Sequence, residues 1–101
     1  MEDRKIVMTT LDEIRAKRSE ILAIAERNGV ENLRIFGSVA RGDDRPDSDI
    51  DMFGTMRSGL WNFLGCQVEL EELLNRKVDL VPTESIHKII KNEIITEAVQ
   101  I

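Results

Sequence analysis

Asp49 and Asp51, two aspartates separated by one residue, have the spacing best suited to chemistry in this chain. Alternate residues of a strand face the same side, about 6–7 Å apart along it. Carboxylates on one face repel each other unless a cation lies between them. Hard oxygen ligands on a rigid strand suit Mg²⁺, which keeps several waters and takes further ligands from a substrate phosphate. The plainer alternative, a solvated edge strand, fits poorly with the apolar neighbours Ile50, Met52 and Phe53. A third acid, Asp79, sits among Val78, Leu80 and Val81 in a short apolar run that predicts burial. A buried carboxylate needs a partner. Lys77 or Arg76 beside it could supply one, or Asp79 could complete a cation site with Asp49 and Asp51 if its strand lies next to theirs. Upstream, Gly37-Ser38 follows directly on Leu33-Arg34-Ile35-Phe36. Glycine there lets the backbone approach a ligand closely, and amides opening a helical turn favour an anion such as phosphate. An ordinary strand-to-loop turn is the alternative.

Three rival chemistries fail on their own residues. Gly37 to Gly42 has the G-x-x-x-x-G spacing of a P-loop, but Asp43 and Asp44 stand where Lys and Ser/Thr are needed, replacing phosphate attraction by repulsion. Counted from Asp47 as an EF-hand, the glycine position is Met52 and the final glutamate position is Ser58. His87 is the only histidine, on a helix expected at the surface, so neither zinc ligation nor a Ser-His-Asp triad has support.

The elements that must position these residues are signalled locally. Thr10 and Glu13 have the capping-box spacing, and Leu11, Ile14, Ile21, Leu22 and Ala25 recur at helical intervals up to Asn28-Gly29. Leu33–Phe36 reads as a strand, residues 39–48 as a loop or one helical turn, and Ile50–Phe53 as a second strand ended by Gly54. A helix is expected from Leu60 to Asn75, with Leu60, Phe63, Leu64, Val68, Leu73 and Leu74 as its buried stripe. Lys77–Val81 reads as a third strand stopped by Pro82. A last amphipathic helix carries Ile86, Ile89, Ile90 and Ile94, capped by Thr83 or Ser85. The tail from Ala98 to Ile101 could add a short edge strand. The order α-β-β-α-β-α predicts an α/β (α+β) fold, a small mixed β-sheet with helices packed against it.

Composition bounds the rest. The 101 residues read as a single domain, residues 1–101, and the net charge is −5. A computed pI of about 4.9 argues against non-specific nucleic-acid binding, which needs a basic surface. One cysteine, Cys66, forms no internal disulfide, and no signal peptide or apolar run of membrane-spanning length is visible. A cytoplasmic protein is the expectation. Residues 43–51 alone hold five Asp and one Arg, so most of the acidity belongs to one loop and strand edge.

Taken together, Gly37-Ser38, ten intervening residues and Asp49-x-Asp51 form the G-S-x10-D-x-D pattern of polymerase-β-type nucleotidyltransferases. With Gly37-Ser38-Val39-Ala40-Arg41-Gly42, Ser48-Asp49-Ile50-Asp51 and Lys77-Val78-Asp79-Leu80-Val81, the chain resembles the minimal nucleotidyltransferase (MNT) group of that superfamily over nearly its whole length. The resemblance implies the nucleotidyltransferase fold and a site in which Asp49 and Asp51 hold two Mg²⁺ ions and Asp79 completes the triad. It implies that Gly37 and Ser38 contact the triphosphate of ATP and that Arg41 neutralises phosphate charge, unless a salt bridge to Asp43 or Asp44 takes it up. An acceptor hydroxyl would attack the α-phosphate, pyrophosphate would leave, and Asp79 would help deprotonate the acceptor. MNT proteins of this size are paired with HEPN proteins, small helical RNases, as antitoxins that can transfer AMP to a toxin tyrosine. This chain has no tyrosine, so a tyrosine acceptor would lie in another protein; a homo- or hetero-oligomer and Ser or Thr self-modification both stay open. The alternatives are a non-catalytic antitoxin that occludes its partner, or transfer to a small molecule.

Overall fold

The first capping signal lies one residue earlier than Thr10 and Glu13 suggest. The computed structural model describes residues 8–88 and 91–101, without the side chains of 87, 88 and 91–93. Thr9 caps α1 (Thr10–Ala16), its hydroxyl accepting from the Asp12 amide while the Asp12 carboxylate accepts from the Thr9 amide, both at 3.1 Å. Thr10 is committed elsewhere, donating its hydroxyl to Asp44. The expected single helix breaks at Lys17 and resumes as α2 (Arg18–Arg27). Ile14, Ile21, Ile24 and Ala25 are buried, whereas Leu22 faces outward. Gly29 follows the helix with φ 67°, the left-handed conformation that ends helices.

The remaining elements are β1 (Val30–Phe36), α3 (Gly37–Arg41), β2 (Ile50–Met56), α4 (Leu60–Leu74), β3 (Val78–Pro82), α5 (Thr83–Lys88), α6 (Lys91–Glu97) and β4 (Val99–Gln100). The sheet order is β3-β2-β1-β4. β1 pairs antiparallel with β2 and β4, and β2 pairs parallel with β3. A parallel pair needs a long crossover, which α4 supplies. The tail forms the edge strand expected of it. β2 does not stop at Gly54 but runs on to Met56. A Cβ at Gly54 would stand 2.7 Å from Val30 Cγ1, so this glycine permits close packing of the sheet rather than breaking the strand.

The buried face of α4 also differs from expectation. Phe63, Cys66 and Leu70 point inward, while Leu60, Leu64 and Val68 are exposed and Trp61 is 86% exposed. This helix is apolar on more than one side, so periodicity does not select its core face. Polar contacts accompany the face that is chosen: Glu69 pairs with Arg27 and accepts from Asn28 Nδ2 at 2.7 Å, and Glu71 and Gln67 accept from the Val78 and Leu80 amides. Cys66 packs in the core, where burial pushes its thiol up to about 11. The last amphipathic segment forms two helices, α5 and α6, with Ile86 buried. Neither cap is seen at work: Thr83 is the first residue of α5, and its buried hydroxyl finds no partner among the described residues. Ile89, Ile90, the His87 side chain and residues 1–7 lie outside the described residues. No helix among the described residues is long and apolar enough to cross a membrane.

The inward face of α4 predicts a sharp contrast. Leu70→Ala should cost about 2–5 kcal/mol, and Val68→Ala no more than about 0.5 kcal/mol. Urea unfolding of the two variants checks the orientation, and the reverse order would place the other face inside.

Candidate functional site

Burial alternates at the starts of β2 and β3, before Phe53 and Gly54 break the pattern in β2. Ile50, Met52, Val78 and Leu80 are buried in the core, which turns Asp49, Asp51 and Asp79 to the opposite side. The register places Asp51 directly beside Asp79 on the neighbouring parallel strand and opposite Phe36 on β1. Asp49 lies one residue before β2. Its neighbour Ile50 donates its amide to the Lys77 carbonyl at 2.9 Å. The three acids therefore lie along adjoining strand starts. Asp51 is half-buried, and Asp49 and Asp79 are exposed. Asp79 is thus not the buried carboxylate its apolar neighbours predict, because strand alternation sends it to the solvent side.

Gly37 closes one wall of this cluster. Its φ is 74°, and a Cβ there would lie 2.4 Å from Asp51 Oδ2. Glycine is needed both for the left-handed backbone and for the space beside the carboxylate. The Gly37 amide donates to Glu97 Oε1 at 3.2 Å, and Arg41 Nη1 donates to the same oxygen at 3.0 Å. Arg41 Nε also donates to Asp43 at 3.2 Å, so the salt bridge anticipated as an alternative role for Arg41 is present. Ser38 is half-buried on α3, with its carbonyl accepting from the amides of Gly42 and Asp43.

Asp51 is the electrostatically strained member. Burial, then the charge of Asp79, then that of Asp49 hold its carboxyl above the usual range, and only Arg41 pulls the other way. No hydrogen-bond donor reaches its carboxylate among the described residues. A half-buried anion without a donor, beside two like charges, fits a hard divalent cation by its chemistry. No group of three Asp, Glu, His or Cys side chains among the described residues is gathered as a ready-made cage. Clefts of about 380 and 450 Å³ lie beside Arg76 and α1, and neither has the three aspartates in its walls. Asp49 and Asp79 are exposed beside the half-buried Asp51.

Two residues that sequence spacing did not bring to the site hold its surroundings. Arg76, one of the two partners considered for Asp79, is engaged with Asp44 and the loop before Asp49. Glu97 links α6 to Gly37 and Arg41 across 60 and 56 residues, a separation that leaves no local signal.

Residues 19–101 match the family model described as Polymerase beta, Nucleotidyltransferase. The chain belongs to this nucleotidyltransferase family. It is 38% identical over 94 residues to a protein of Methanocaldococcus jannaschii provisionally named a protein adenylyltransferase, covering 90% of this chain and 97% of that one. It is 33% identical over 102 residues to the protein adenylyltransferase MntA of Thermococcus cleftensis, covering 95% and 100%. A solved structure described as a candidate minimal nucleotidyltransferase superposes with a TM-score of 0.79 at 31% identity, covering 96% of this chain and all (100%) of that one. A chain of the solved structure described as a tri-AMPylated Shewanella oneidensis HEPN toxin in complex with MNT antitoxin shares the fold, with a TM-score of 0.62 at 20% identity over 85% of this chain and 69% of that one. The mixed sheet with flanking helices is therefore the nucleotidyltransferase fold, as the resemblance implied.

Two outcomes follow for this nucleotidyltransferase. Because the folded carboxyl of Asp51 lies above its ordinary 3.8, its ionisation costs stability, and that cost enters as pH rises from about 3.8 through the raised value. Asp51→Asn should raise the thermal midpoint in EDTA at pH 7 by a few degrees and leave it flat below about pH 3. A lower midpoint at pH 7 would refute the repulsion. Gly37→Ala should cost about 1–2 kcal/mol through its left-handed backbone, measured by urea unfolding.

Proposed function

We propose that this chain is a protein adenylyltransferase that transfers AMP from ATP to a hydroxyl, that of a tyrosine, on a HEPN-type helical toxin, and so acts as its antitoxin in the cytoplasm. Residues 1–101 are read as one such domain. The observation that carries the reading is the register of Asp51 on Asp79, with Gly37 packed against the Asp51 carboxylate. Relatives named as protein adenylyltransferases support the reaction, and the AMPylated HEPN toxin bound to an MNT antitoxin supports the class of partner. The open setting of the acids suits an acceptor carried on another protein, since exposed Asp49 and Asp79 leave room for a side chain to reach them.

In this reading Asp49, Asp51 and Asp79 would hold two Mg²⁺ ions, which would supply neutralisation of the charge that develops during transfer. Gly37 and Ser38 lie along the triphosphate, and the missing Cβ lets the chain approach it. Arg41 exchanges its carboxylate partners for phosphate oxygens as ATP binds. The acceptor oxygen forms a bond to the α-phosphorus, and the bond from that phosphorus to the bridging oxygen breaks. Pyrophosphate leaves with that electron pair. Asp79, exposed at the start of β3, takes the hydroxyl proton.

The test is AMP transfer from ATP labelled at the α-phosphate to a HEPN-type helical protein mixed with this chain. Asp49→Asn and Asp51→Asn should each reduce labelling to about one-hundredth or less, and omission of Mg²⁺ should abolish it. Undiminished labelling in either variant would sink the cation site. A tight complex with no labelling would show neutralisation by occlusion instead.

A further inference from the structure

The loop from Gly42 to Asp49 is polar, carries one proline, and delivers the first of the three acids, yet it is tied down by a residue from another part of the chain. The Arg76 side chain is 18% exposed and that of Asp44 only 9%. Arg76 Nη2 donates to the Ser48 carbonyl at 2.6 Å, and its Nε reaches the same oxygen at 3.2 Å. The same Nη2 reaches the Arg45 carbonyl at 3.0 Å, and Nη1 donates to Thr10 Oγ1 at 2.9 Å. Both terminal nitrogens stand 3.3 Å from Asp44 Oδ2, which also accepts the Thr10 hydroxyl at 2.6 Å. A planar fork of fixed donors can grip carbonyls and a carboxylate at once, and an ammonium cannot.

The placement matters more than the energy. A largely buried ion pair is a poor source of net stability, because desolvation offsets its attraction. What this one does is geometric. Ser48, just before Asp49, has its carbonyl held by Arg76, and Ile50, just after it, has its amide held by the Lys77 carbonyl. Consecutive residues therefore pin the backbone on both sides of Asp49, and the same segment leads into Asp79.

We propose that Arg76 is a positioning residue: with Asp44 it clamps the backbone beside Asp49 so that this carboxylate is presented to a divalent cation in line with Asp51 and Asp79. The inference rests on the cation-site reading above, and it assigns Arg76 no contact with substrate.

The test uses the full chain with Arg76→Lys and, as a second variant that keeps side-chain size at the other end of the clamp, Asp44→Asn. Three measurements are made: hydrogen exchange of amides 43–49 without metal, binding of Mn²⁺ followed by its EPR signal in the presence of a non-hydrolysable ATP analogue, and the Mg²⁺ concentration giving half-maximal AMP transfer. Both variants should exchange faster in residues 43–49 and unchanged in β1 and β2. Their Mn²⁺ affinity should fall about ten-fold to a hundred-fold, with the half-maximal Mg²⁺ rising in parallel and kcat at saturating Mg²⁺ largely retained. Faster loop exchange with wild-type Mn²⁺ affinity in both variants would make Arg76 merely structural and overturn the proposal. If AMP is transferred normally by the wild type and neither variant alters the Mg²⁺ requirement, the proposal falls and the enzymatic reading stands. If the variants weaken Mn²⁺ binding but no AMP is transferred even by the wild type, the enzymatic reading falls and the positioning role stands.

Discussion

Carboxylates that repel one another must be held together by something else, and here it is the register of β2 on β3. Ile50, Met52, Val78 and Leu80 are all buried beneath the acids, and the parallel ladder sets Asp51 against Asp79. Each such anchor contributes about 1.5–3 kcal/mol on burial. Repulsion between two carboxylates at contact distance is about 1–4 kcal/mol, depending on how much water screens them. Four anchors outweigh it, so the core can carry a cluster that would otherwise push its strands apart. The same bargain explains why Asp51 is strained rather than relaxed. Its backbone is committed to the sheet, and its side chain has nowhere to retreat past Gly37.

Around this cluster the chain uses contacts between distant segments. Glu97 joins the last described helix to Gly37 and Arg41, and Arg76 joins the β3 approach to the loop ahead of β2 and to the start of α1. Both place polar side chains where a flexible loop would otherwise float. The acidic loop is thus shaped by two residues outside it, and its own abundance of Asp serves partly as anchorage: Asp44 is the less exposed half of an ion pair, and Asp43 engages Arg41.

Most of the architecture was legible in the residues because each element carried a local signal. The strand start at Ile50, the long helix from Leu60 and the edge strand at the tail appear where alternation and periodicity placed them, and the third strand runs one residue later than Lys77–Val81, taking in Pro82. Three features were hidden. The rotation of α4 was ambiguous because apolar residues cover more than one of its faces, and the contacts that go with the observed face, Glu69 with α2 and Gln67 and Glu71 with the β3 amides, join distant segments. Gly54 reads as a breaker in one dimension, but across the sheet it is a point of close approach to Val30. Arg76 stood close enough to Asp79 to suggest a local pair, whereas its partners lie 28 to 66 residues away, beyond any window of pattern reading.

The crossover through α4 also has a kinetic meaning. β2 and β3 are parallel neighbours joined only by that helix, and β4 returns from the far side of β3 to pair with β1. Non-local pairings of this kind form late, after the entropy of closing long loops has been met. Asp51 and Asp79 therefore become neighbours in the same event that completes the interior of the sheet. Asp49 and Asp51 are neighbours in any state of the chain, and Asp79 joins them only once β3 lies on β2.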